Sequence, residues 1–294
     1  MKASIVIRTY NESKHLPALL QAISEQDLEE GQPFETIVVD SGSTDGTLDI
    51  ANSFGCRLLH ISKEEFSFGR SLNMGCLAAQ GECLVFISGH CIPENNHWLE
   101  CLVAPLGRDR IAYSYGGQIG GADSHFSECQ IFAKYFPAVS KIPQEGFYCN
   151  NANSALLRSV WLETPFNEDV TGLEDMHLAK LLVAKGMQIA YVTEARVYHL
   201  HDETWAKIRH RFEREAIALQ YIMPEIHIGF NDFFRYTVSA IFLDVGAAMQ
   251  MHVLRKTLGE IILYRFSQFW GAYRGNQFHR NLSRRRKEMY YYPR

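Results

Sequence analysis

The sequence predicts an α/β domain, in which a mixed, mainly parallel sheet is flanked by helices, followed by a helical C-terminal appendage. Short apolar runs alternate with helical patterns up to about residue 120. The first two apolar runs end in polar residues and have one helical segment between them, which is the pattern of a βαβ unit with parallel strands. Beyond residue 203 the pattern is helical almost to the end.

The individual elements follow from the same patterns. Strands are expected near residues 4–8, 35–40, 56–61, 83–88 and 111–119. Helices are expected near residues 13–25, 47–54, 69–80 and 96–104. Glycines and prolines make the segment 121–172 less regular, apart from a strand at 154–157. A helix near 173–186 and strands near 188–199 complete a domain of residues 1–202, and residues 203–294 form a second region.

Charge is distributed unevenly along the chain. Residues 205–294 carry 15 Lys and Arg against 7 Asp and Glu, a net charge of +8, whereas the whole chain has −4 and the remainder therefore −12. A basic C-terminal region indicates an anionic partner such as a membrane surface or a phosphorylated acceptor, and nothing indicates nucleic acid. The seven scattered cysteines and the absence of a signal-peptide pattern after Lys2 favour a cytosolic protein with reduced thiols.

Two motifs at strand ends predict a ligand site. The run Ile37-Val-Val-Asp-Ser-Gly-Ser-Thr-Asp-Gly46 carries Asp40 and Asp45 to the carboxyl edge of the sheet, where open α/β sheets bind ligands. The run Ala3-Ser-Ile-Val-Ile-Arg-Thr-Tyr-Asn-Glu12 ends at the same edge. The first motif alone is also ordinary turn and helix-capping chemistry.

Together these two motifs resemble the nucleotide-binding half of family 2 glycosyltransferases, and the similarity extends over about the first 200 residues. The resemblance implies the GT-A fold and a nucleotide-sugar donor. It also implies a donor site, in which Asp40 holds the base, Tyr10 packs on the base or ribose, and Arg70 and Asn73 lie near the diphosphate. The full set implied for that site is Thr9, Tyr10, Glu12, Asp40, Ser43, Asp45, Arg70, Asn73 and Ser88. An exposed arginine at a helix N-terminus is the alternative for Arg70.

The metal motif departs from the family pattern. The family usually ends this strand with Asp-x-Asp, whereas this chain has Ser88-Gly-His90. The pattern is closer to the Asp-x-His of polypeptide N-acetylgalactosaminyltransferases, which bind manganese through that histidine and a later one. Here the later residue is His199 or His201. One hypothesis is a divalent cation, Mn or Mg, held by His90 and His199; the other is a metal-independent enzyme with a CMP-sugar donor. A structural hydrogen bond at a strand end is a third interpretation of each histidine.

The run Gly172-Leu-Glu-Asp-Met-His-Leu178 resembles the Glu-Asp motif of inverting family members. The resemblance implies that Asp175 accepts the proton of the acceptor hydroxyl, and adjacent Glu174 is expected to raise the pKa of Asp175. His177 stands where the family often has another acid. The amides of Asn151 and Asn153 suit sugar hydroxyls and are expected at the acceptor site. The alternative for both acids is stabilisation of a helix N-terminus.

The C-terminal region allows two interpretations. Residues 233–251 are strongly apolar but contain Arg235 and Asp244, which favours an amphipathic helix over a membrane span. Aromatic residues and the cluster Arg284-Arg-Arg-Lys287 suit the inner face of the cytoplasmic membrane. The second interpretation, equally favoured, is a helical hairpin packed on the domain or on a second subunit of a homodimer.

The sequence therefore predicts an inverting glycosyltransferase that acts on a glycan or lipid-linked acceptor. Its motifs look nearest to the bacterial rhamnosyltransferase-like branch, which implies cell-surface polysaccharide synthesis. A non-catalytic nucleotide-binding scaffold is the alternative from another class, because Ser88 and His177 replace expected acids. A nucleotidyltransferase is disfavoured, since Arg8-Thr-Tyr-Asn11 is not a glycine-rich, basic loop.

Overall fold

The computed structural model describes residues 3–27, 33–277 and 290–291 of the chain. They form two compact units. The first comprises the chain up to Gly121 together with Phe136–Asp169 and Glu174–Leu200. The second comprises Ala122–Tyr135, Val170–Leu173 and the chain from His201. A domain boundary at residues 202 and 203 stays a prediction, because the second unit also takes up two earlier segments.

The first unit is built on an eight-stranded mixed sheet with the strand order β3-β2-β1-β4-β7-β6-β8-β5. Its strands are β1 (Ala3–Thr9), β2 (Phe34–Asp40), β3 (Arg57–His60), β4 (Cys83–Ser88), β5 (Cys91–Pro93), β6 (Ile111–Gly120), β7 (Asn153–Leu157) and β8 (Gln188–His199). The pairs β1–β2, β1–β4, β2–β3 and β6–β8 are parallel, and the pairs involving β7 or β5 are antiparallel.

Six helices of the first unit connect these strands. They are α1 (Leu16–Ser24), α2 (Thr47–Ser53), α3 (Phe68–Ala78), α4 (Trp98–Val103), α6 (Arg158–Glu163) and α7 (Glu174–Ala184). The core forms because β1 and β4 bury nearly continuous apolar runs, and α1 buries Leu16, Leu19, Leu20 and Ile23 at helical spacing. Burial of each such side chain contributes about 1.5–3 kcal/mol.

Strand register brings the polar strand ends together. Thr9, the last residue of β1, pairs with Asp40, the last residue of β2, and Arg8 pairs with Ser88 at the end of β4. The motifs after β1, β2 and β4 therefore begin at one edge of the sheet. β5 follows β4 after a two-residue turn and pairs with β8 so that Cys91 lies opposite His199. This pairing brings the histidine at the end of β8 next to the turn that carries His90.

The second unit is helical. It contains α5 (Phe126–Tyr135), α8 (Trp205–Ile222), α9 (Phe230–Gln250) and α10 (Leu254–Asn276), and α10 contacts the other three. Gly271 and Gly275 allow α10 to approach α8 closely, because a Cβ atom would lie 2.3 Å from the carbonyl oxygen of Arg209 and 2.2 Å from that of Glu213, respectively. None of the described helices combines the length and the sustained apolar character needed to span a membrane.

Most sequence-predicted elements occur at the expected places, within a few residues. The segment 121–172 is more regular than expected, because it contains α5 and α6 as well as β7. Within α5 the side chains of Ser127, Glu128 and Phe132 are buried, so packing inside the second unit supports a helix in a region where glycines and prolines suggested loops. The basic cluster 284–287 lies outside the described residues.

Candidate active site

Asp40 organises the turn that follows β2. Its buried carboxylate accepts hydrogen bonds from the backbone N–H groups of Gly42 and Ser43, at 2.8 and 2.9 Å. It also accepts from the hydroxyls of Ser43 and Thr9, at 2.5 and 3.1 Å. Gly42 has φ +96°, a conformation that favours glycine. Four donors within the chain therefore already use the carboxylate that the sequence assigned to a nucleotide base, and its first role is to shape the loop.

Asp45 joins the loops after β1 and β2. Its carboxylate accepts from the backbone and hydroxyl of Thr47, at 3.1 and 2.6 Å, and from the backbone N–H of Ser13 at 3.1 Å. Burial opposes ionisation, but these hydrogen bonds outweigh it and lower the pKa of Asp45 from 3.8 to about 2. A second link runs from the backbone N–H of Thr44 to Asn11 Oδ1, at 2.8 Å. The two motifs are thus one structural unit.

Tyr10 lies beside Lys63, a residue that the sequence interpretation missed. Lys63 Nζ donates to the Tyr10 hydroxyl at 3.2 Å and lies 5.0 Å from the centre of the ring. The lysine follows β3, and a Cβ atom on Gly42 would lie 3.4 Å from its side chain. A cation therefore stands beside the aromatic ring and the Asp40 turn, at the edge where the donor nucleotide is expected.

Arg70 and Asn73 lie on the first turns of α3, and Glu168 engages both. Arg70 Nε donates to Glu168 Oε2 at 2.7 Å, and Asn73 Nδ2 donates to Glu168 Oε1 at 3.0 Å. The Arg70 side chain is half exposed, and its guanidinium also donates from Nη1 to the Glu65 carbonyl at 3.0 Å. Asn73 is buried; its Oδ1 accepts from Trp161 Nε1 and the Phe166 backbone, at 3.0 and 3.1 Å. These contacts give Asn73 a packing role instead of the expected place at the diphosphate.

The turn after β4 places two histidines against each other. The His90 and His199 rings stack with centroids 5.1 Å apart and an interplanar angle of 24°, and their nearest ligand atoms lie within 4.8 Å. His90 Nδ1 lies 2.8 Å from Glu12 Oε1, and His199 Nδ1 lies 2.7 Å from Gln118 Oε1. An acceptor oxygen at each Nδ1 favours the tautomer with its lone pair on Nε2, as in metal-binding histidines.

The structure gives different surroundings to residues that the sequence interpretation had grouped together. Glu12 orients His90, which differs from the direct nucleotide contact expected for it. His199 lies in the same unit as His90, whereas His201 belongs to the second unit, where its Nδ1 lies 2.7 Å from Glu128 Oε1. Ser88 ends β4 at the same edge and supplies a hydroxyl where the family usually has a carboxylate. The two imidazoles would supply two nitrogen ligands to a divalent cation, and a bound diphosphate would supply anionic oxygen ligands.

The acids at the start of α7 have different environments. Arg8 Nη1 donates to Glu174 Oε1 at 3.1 Å, so a cation compensates the charge of Glu174. Asp175 accepts from the backbone N–H groups of Asn151 and Met176, both at 2.7 Å. Burial and the adjacent Glu174 charge nonetheless raise the pKa of Asp175 from 3.8 to about 7. Paired acids with such different surroundings commonly divide their roles, and of these two it is Asp175 whose pKa lies near neutral pH.

The asparagines before β7 also differ. Asn153 has no exposed surface: its Nδ2 donates to the carbonyls of Gly117 and Ala195, at 3.0 and 2.7 Å, and its Oδ1 accepts from Trp98 Nε1 at 2.8 Å. Its amide therefore joins the sheet to the core, which does not agree with the expected acceptor contact. Asn151 Oδ1 accepts from Ser154 at 2.7 Å, but its buried Nδ2 has no hydrogen-bond partner among the described residues. That donor belongs to the residue whose backbone holds Asp175.

Besides Lys63, two further functional candidates were missing from the sequence interpretation, and both carried a signal. Arg8 is the one charged residue of a largely buried strand, which is unusual unless a partner compensates it. Gln118 is a polar residue in a strand whose preceding positions are all buried. Each is a side chain that holds a proposed site residue in place. Sequence distance hid the partners, since Arg8 and Glu174 are 166 positions apart.

The fold and motifs agree with comparisons to known proteins. The family model described as glycosyl transferase family 2 matches residues 4–158. The chain is 26% identical to the O-antigen chain rhamnosyltransferase RfbN of Salmonella typhimurium over 92% of this chain and 90% of that protein. It is 28% identical to the O-antigen chain rhamnosyltransferase WbaN of Salmonella anatum, over 81% of each.

The solved structures support the fold. The mannosyltransferase PcManGT from Pyrobaculum calidifontis, in complex with GDP-Man and Mn2+, superposes with a TM-score of 0.59 at 18% identity, over 92% of this chain and 84% of that one. Glucosyl-3-phosphoglycerate synthase from Mycobacterium tuberculosis superposes with a TM-score of 0.52 at 21% identity, over 74% and 79%. The expected GT-A fold is confirmed. With its family model covering more than half of its length, the chain belongs to glycosyltransferase family 2.

Proposed function

We propose that this glycosyltransferase moves a sugar from a nucleotide-sugar donor to a hydroxyl of a glycan or lipid-linked acceptor, with inversion, during bacterial cell-surface polysaccharide synthesis. The observation that carries the proposal is Asp175, a buried carboxylate at the start of α7 with a pKa raised to about 7. Similarity over nearly the whole chain to two proteins named O-antigen chain rhamnosyltransferases supports the acceptor class.

Asp175 suits a general base because its carboxylate is held in place and its pKa is raised to about 7. The proposed step is a single displacement. The acceptor hydroxyl gives its proton to Asp175 as its oxygen bonds to the anomeric carbon, and the bond from that carbon to the phosphate oxygen breaks with its electron pair on the nucleotide. Glu174, paired with Arg8, keeps the Asp175 carboxylate hard to ionise without itself needing to move. Asn151 Nδ2 is a donor suited to an acceptor oxygen.

The donor would lie at the edge formed by the ends of β1, β2 and β4. Tyr10 and Lys63 present an aromatic ring and a cation there, and Arg70 presents a half-exposed guanidinium suited to phosphate oxygens. His90 and His199 would hold a divalent cation through their Nε2 atoms. When bound, such a cation neutralises charge on the leaving phosphate. Manganese fits this nitrogen-containing set better than magnesium, which prefers oxygen ligands.

The donor class is tested by isothermal titration calorimetry of the purified protein with UDP, dTDP, GDP and CMP, each with manganese and with EDTA. The proposal expects one nucleoside diphosphate to bind in manganese and to bind much more weakly in EDTA. Equal binding of CMP in both conditions would instead support a metal-independent enzyme with a CMP-sugar donor.

Transfer is tested with labelled nucleotide-sugars and a bacterial lipid extract as acceptor. The proposal expects label from one donor to enter the lipid or glycan fraction, with the anomeric configuration of the product opposite to that of the donor. Retained configuration would contradict the proposed single displacement, and the absence of both nucleotide binding and transfer would favour a scaffold. The transfer assay does not address the predicted homodimer or the predicted peripheral contact with the inner membrane.

A further inference from the structure

The second unit exposes an unusual amount of apolar surface on one helical hairpin. Ten large apolar residues of α9 and α10 have between 42% and 75% of their surface exposed. We call them the α9–α10 apolar face: Phe230, Phe234, Val238, Phe242, Leu243, Met249, Leu258, Ile262, Leu263 and Phe266. Exposed apolar side chains in this number on two packed helices exceed scattered surface leucines, and contiguous exposed apolar surface of this kind marks interaction sites in proteins.

Polar groups lie inside the same hairpin. Arg265 of α10 donates to both carboxylate oxygens of Asp244 of α9, each at 2.7 Å, and both residues are buried. Ser127 of α5 donates to the same carboxylate at 2.6 Å. Leu243, the neighbour of Asp244 in sequence, is 75% exposed. The hairpin therefore buries an ion pair and presents hydrocarbon outward, which is the reverse of the pattern for a helix that faces water.

Aromatic side chains gather at one end of the hairpin. Phe233 lies with its ring centroid 5.4 Å from that of Trp270 and 6.0 Å from that of Tyr273, and Phe230 lies 5.8 Å from Tyr273. Both Trp270 and Tyr273 are partly exposed. Tryptophan and tyrosine beside phenylalanine suit the boundary between lipid headgroups and acyl chains, because each ring has an apolar body and a polar atom.

The charges around the face are complementary to an anionic surface. Arg255 and Lys256 are exposed at the start of α10, beside the turn from α9. Each of the three acids in α9 and α10 has an internal partner: Asp232 pairs with Arg235, Asp244 pairs with Arg265, and Glu260 accepts from the Phe126 backbone. The described residues 205–277 carry nine Lys and Arg against six Asp and Glu, a net charge of +3. Within α9 and α10, the exposed cations thus accompany the apolar face, and none of the acids of these two helices is fully exposed.

We propose that the α9–α10 apolar face lies on an anionic lipid bilayer, with Arg255 and Lys256 at the headgroups and the apolar side chains below them. The proposal deepens the proposed function, on which it rests, by naming the surface that brings the enzyme to a lipid-linked acceptor. A second copy of the chain would bury the same cations twice with no exposed acid of the face opposite them, whereas anionic headgroups neutralise them.

The test is flotation of the full-length protein with vesicles of phosphatidylcholine alone or with added phosphatidylglycerol. Wild type is expected to float with the anionic vesicles and to be released by high salt. The double variant Phe242→Gln, Leu243→Gln is expected to bind at least about tenfold more weakly, because it removes two large apolar side chains from the contact. The variant Arg255→Gln, Lys256→Gln is expected to lose the preference for phosphatidylglycerol.

A matched control replaces two equally exposed apolar residues of the first unit, Leu77→Gln and Val139→Gln, at 72% and 70% exposure. It should float like wild type, and circular dichroism confirms that each variant is folded. Failure of wild type to float, or flotation of the Phe242 and Leu243 variant at the wild-type level, overturns the proposal. So does a wild-type dimer that this variant converts to a monomer. Nucleotide binding by calorimetry, measured without lipid, reports separately on the proposed function.

Discussion

Replacing Arg8 by glutamine should move the pH dependence of transfer to higher pH. Arg8 compensates Glu174 at 3.1 Å and lowers the pKa of Asp175, which burial and Glu174 raise. At an effective dielectric constant of about 20, two unit charges interact by about 4 kcal/mol at about 4 Å and by about half of that at twice the distance, and about 1.36 kcal/mol corresponds to one pK unit. Since the Arg8 side chain is 20% exposed, we expect a rise of about 1 unit.

The sign follows from the role of the base. Asp175 accepts a proton only when ionised, so the rate falls as the pH drops through its pKa of about 7. With the pKa raised by about 1 unit, the ionised fraction at pH 7 falls from about one half to about one tenth, and kcat/KM falls about fivefold. Near pH 9 both proteins have an ionised Asp175, so their rates should converge.

The assay is kcat/KM for the best donor across the pH range. Arg8→Lys is the matched control, because it keeps the positive charge and should leave the profile near that of wild type. Arg57→Gln, at the exposed edge strand β3, controls for loss of an arginine elsewhere in the same sheet. A profile for Arg8→Gln that is unshifted, or shifted to lower pH, would refute the assignment of Asp175 as the base or of Arg8 as its regulator.

Three further predictions concern the metal, the sheet and the donor loop. His90→Ala should weaken nucleotide binding in manganese about 10–100-fold and leave binding in EDTA unchanged. The control His97→Ala, at an exposed histidine, should leave binding unchanged in both conditions. Equal loss of binding by His90→Ala in both conditions would exclude a metal role. Asn153→Ala should lower the free energy of unfolding in urea by about 2–4 kcal/mol, because it leaves buried partners unpaired, and exposed Asn52→Ala should change it little; a neutral Asn153→Ala would contradict the packing role. Asp45 has a pKa of about 2 in the folded protein against an ordinary value of 3.8, so its ionised form stabilises the fold above pH 3.8 and that stability is lost as the pH falls toward 2. The difference in urea midpoint between wild type and Asp45→Asn should therefore shrink over this pH range. A constant difference would contradict the linkage.

The fold was predictable because its signals are local. Apolar runs of β1, β2 and β4 end in polar motifs, and the parallel register then places Thr9, Asp40 and Ser88 at one edge without further information. Helix α5 was not predictable, because its stability comes from burial of Glu128 and Phe132 inside the second unit and glycines and prolines flank it. Local propensity and tertiary packing disagree there, and packing decides.

The candidate site was predictable in residue type but not in the role of each residue. Asn151 and Asn153 look equivalent in sequence, yet only Asn153 joins Trp98 to the sheet through its amide, and only Asn151 has a buried amide nitrogen without a partner among the described residues. Asn73 likewise matches a diphosphate motif and is buried in protein contacts. The sequence shows an asparagine in either case, because the same side-chain amide can hydrogen-bond to a ligand or to a backbone carbonyl.

The pairings that tune the site are long-range and therefore invisible to spacing. Glu12 was expected at the nucleotide, but Gly89 lets the chain pass so close that Glu12 contacts His90; a Cβ atom on Gly89 would lie 2.8 Å from the Glu12 side chain. The raised pKa of Asp175 was expected from the neighbouring Glu174, whereas burial is its largest cause and depends on the whole fold.

The most direct test of the account is the transfer rate of Asp175→Asn, which keeps the size of the side chain and removes its basicity. With the donor that wild type uses and the same lipid extract, kcat should fall about 10²–10⁴-fold, while nucleotide affinity by calorimetry stays at the wild-type value. Transfer by Asp175→Asn at the wild-type rate would contradict the claim that Asp175 is the general base.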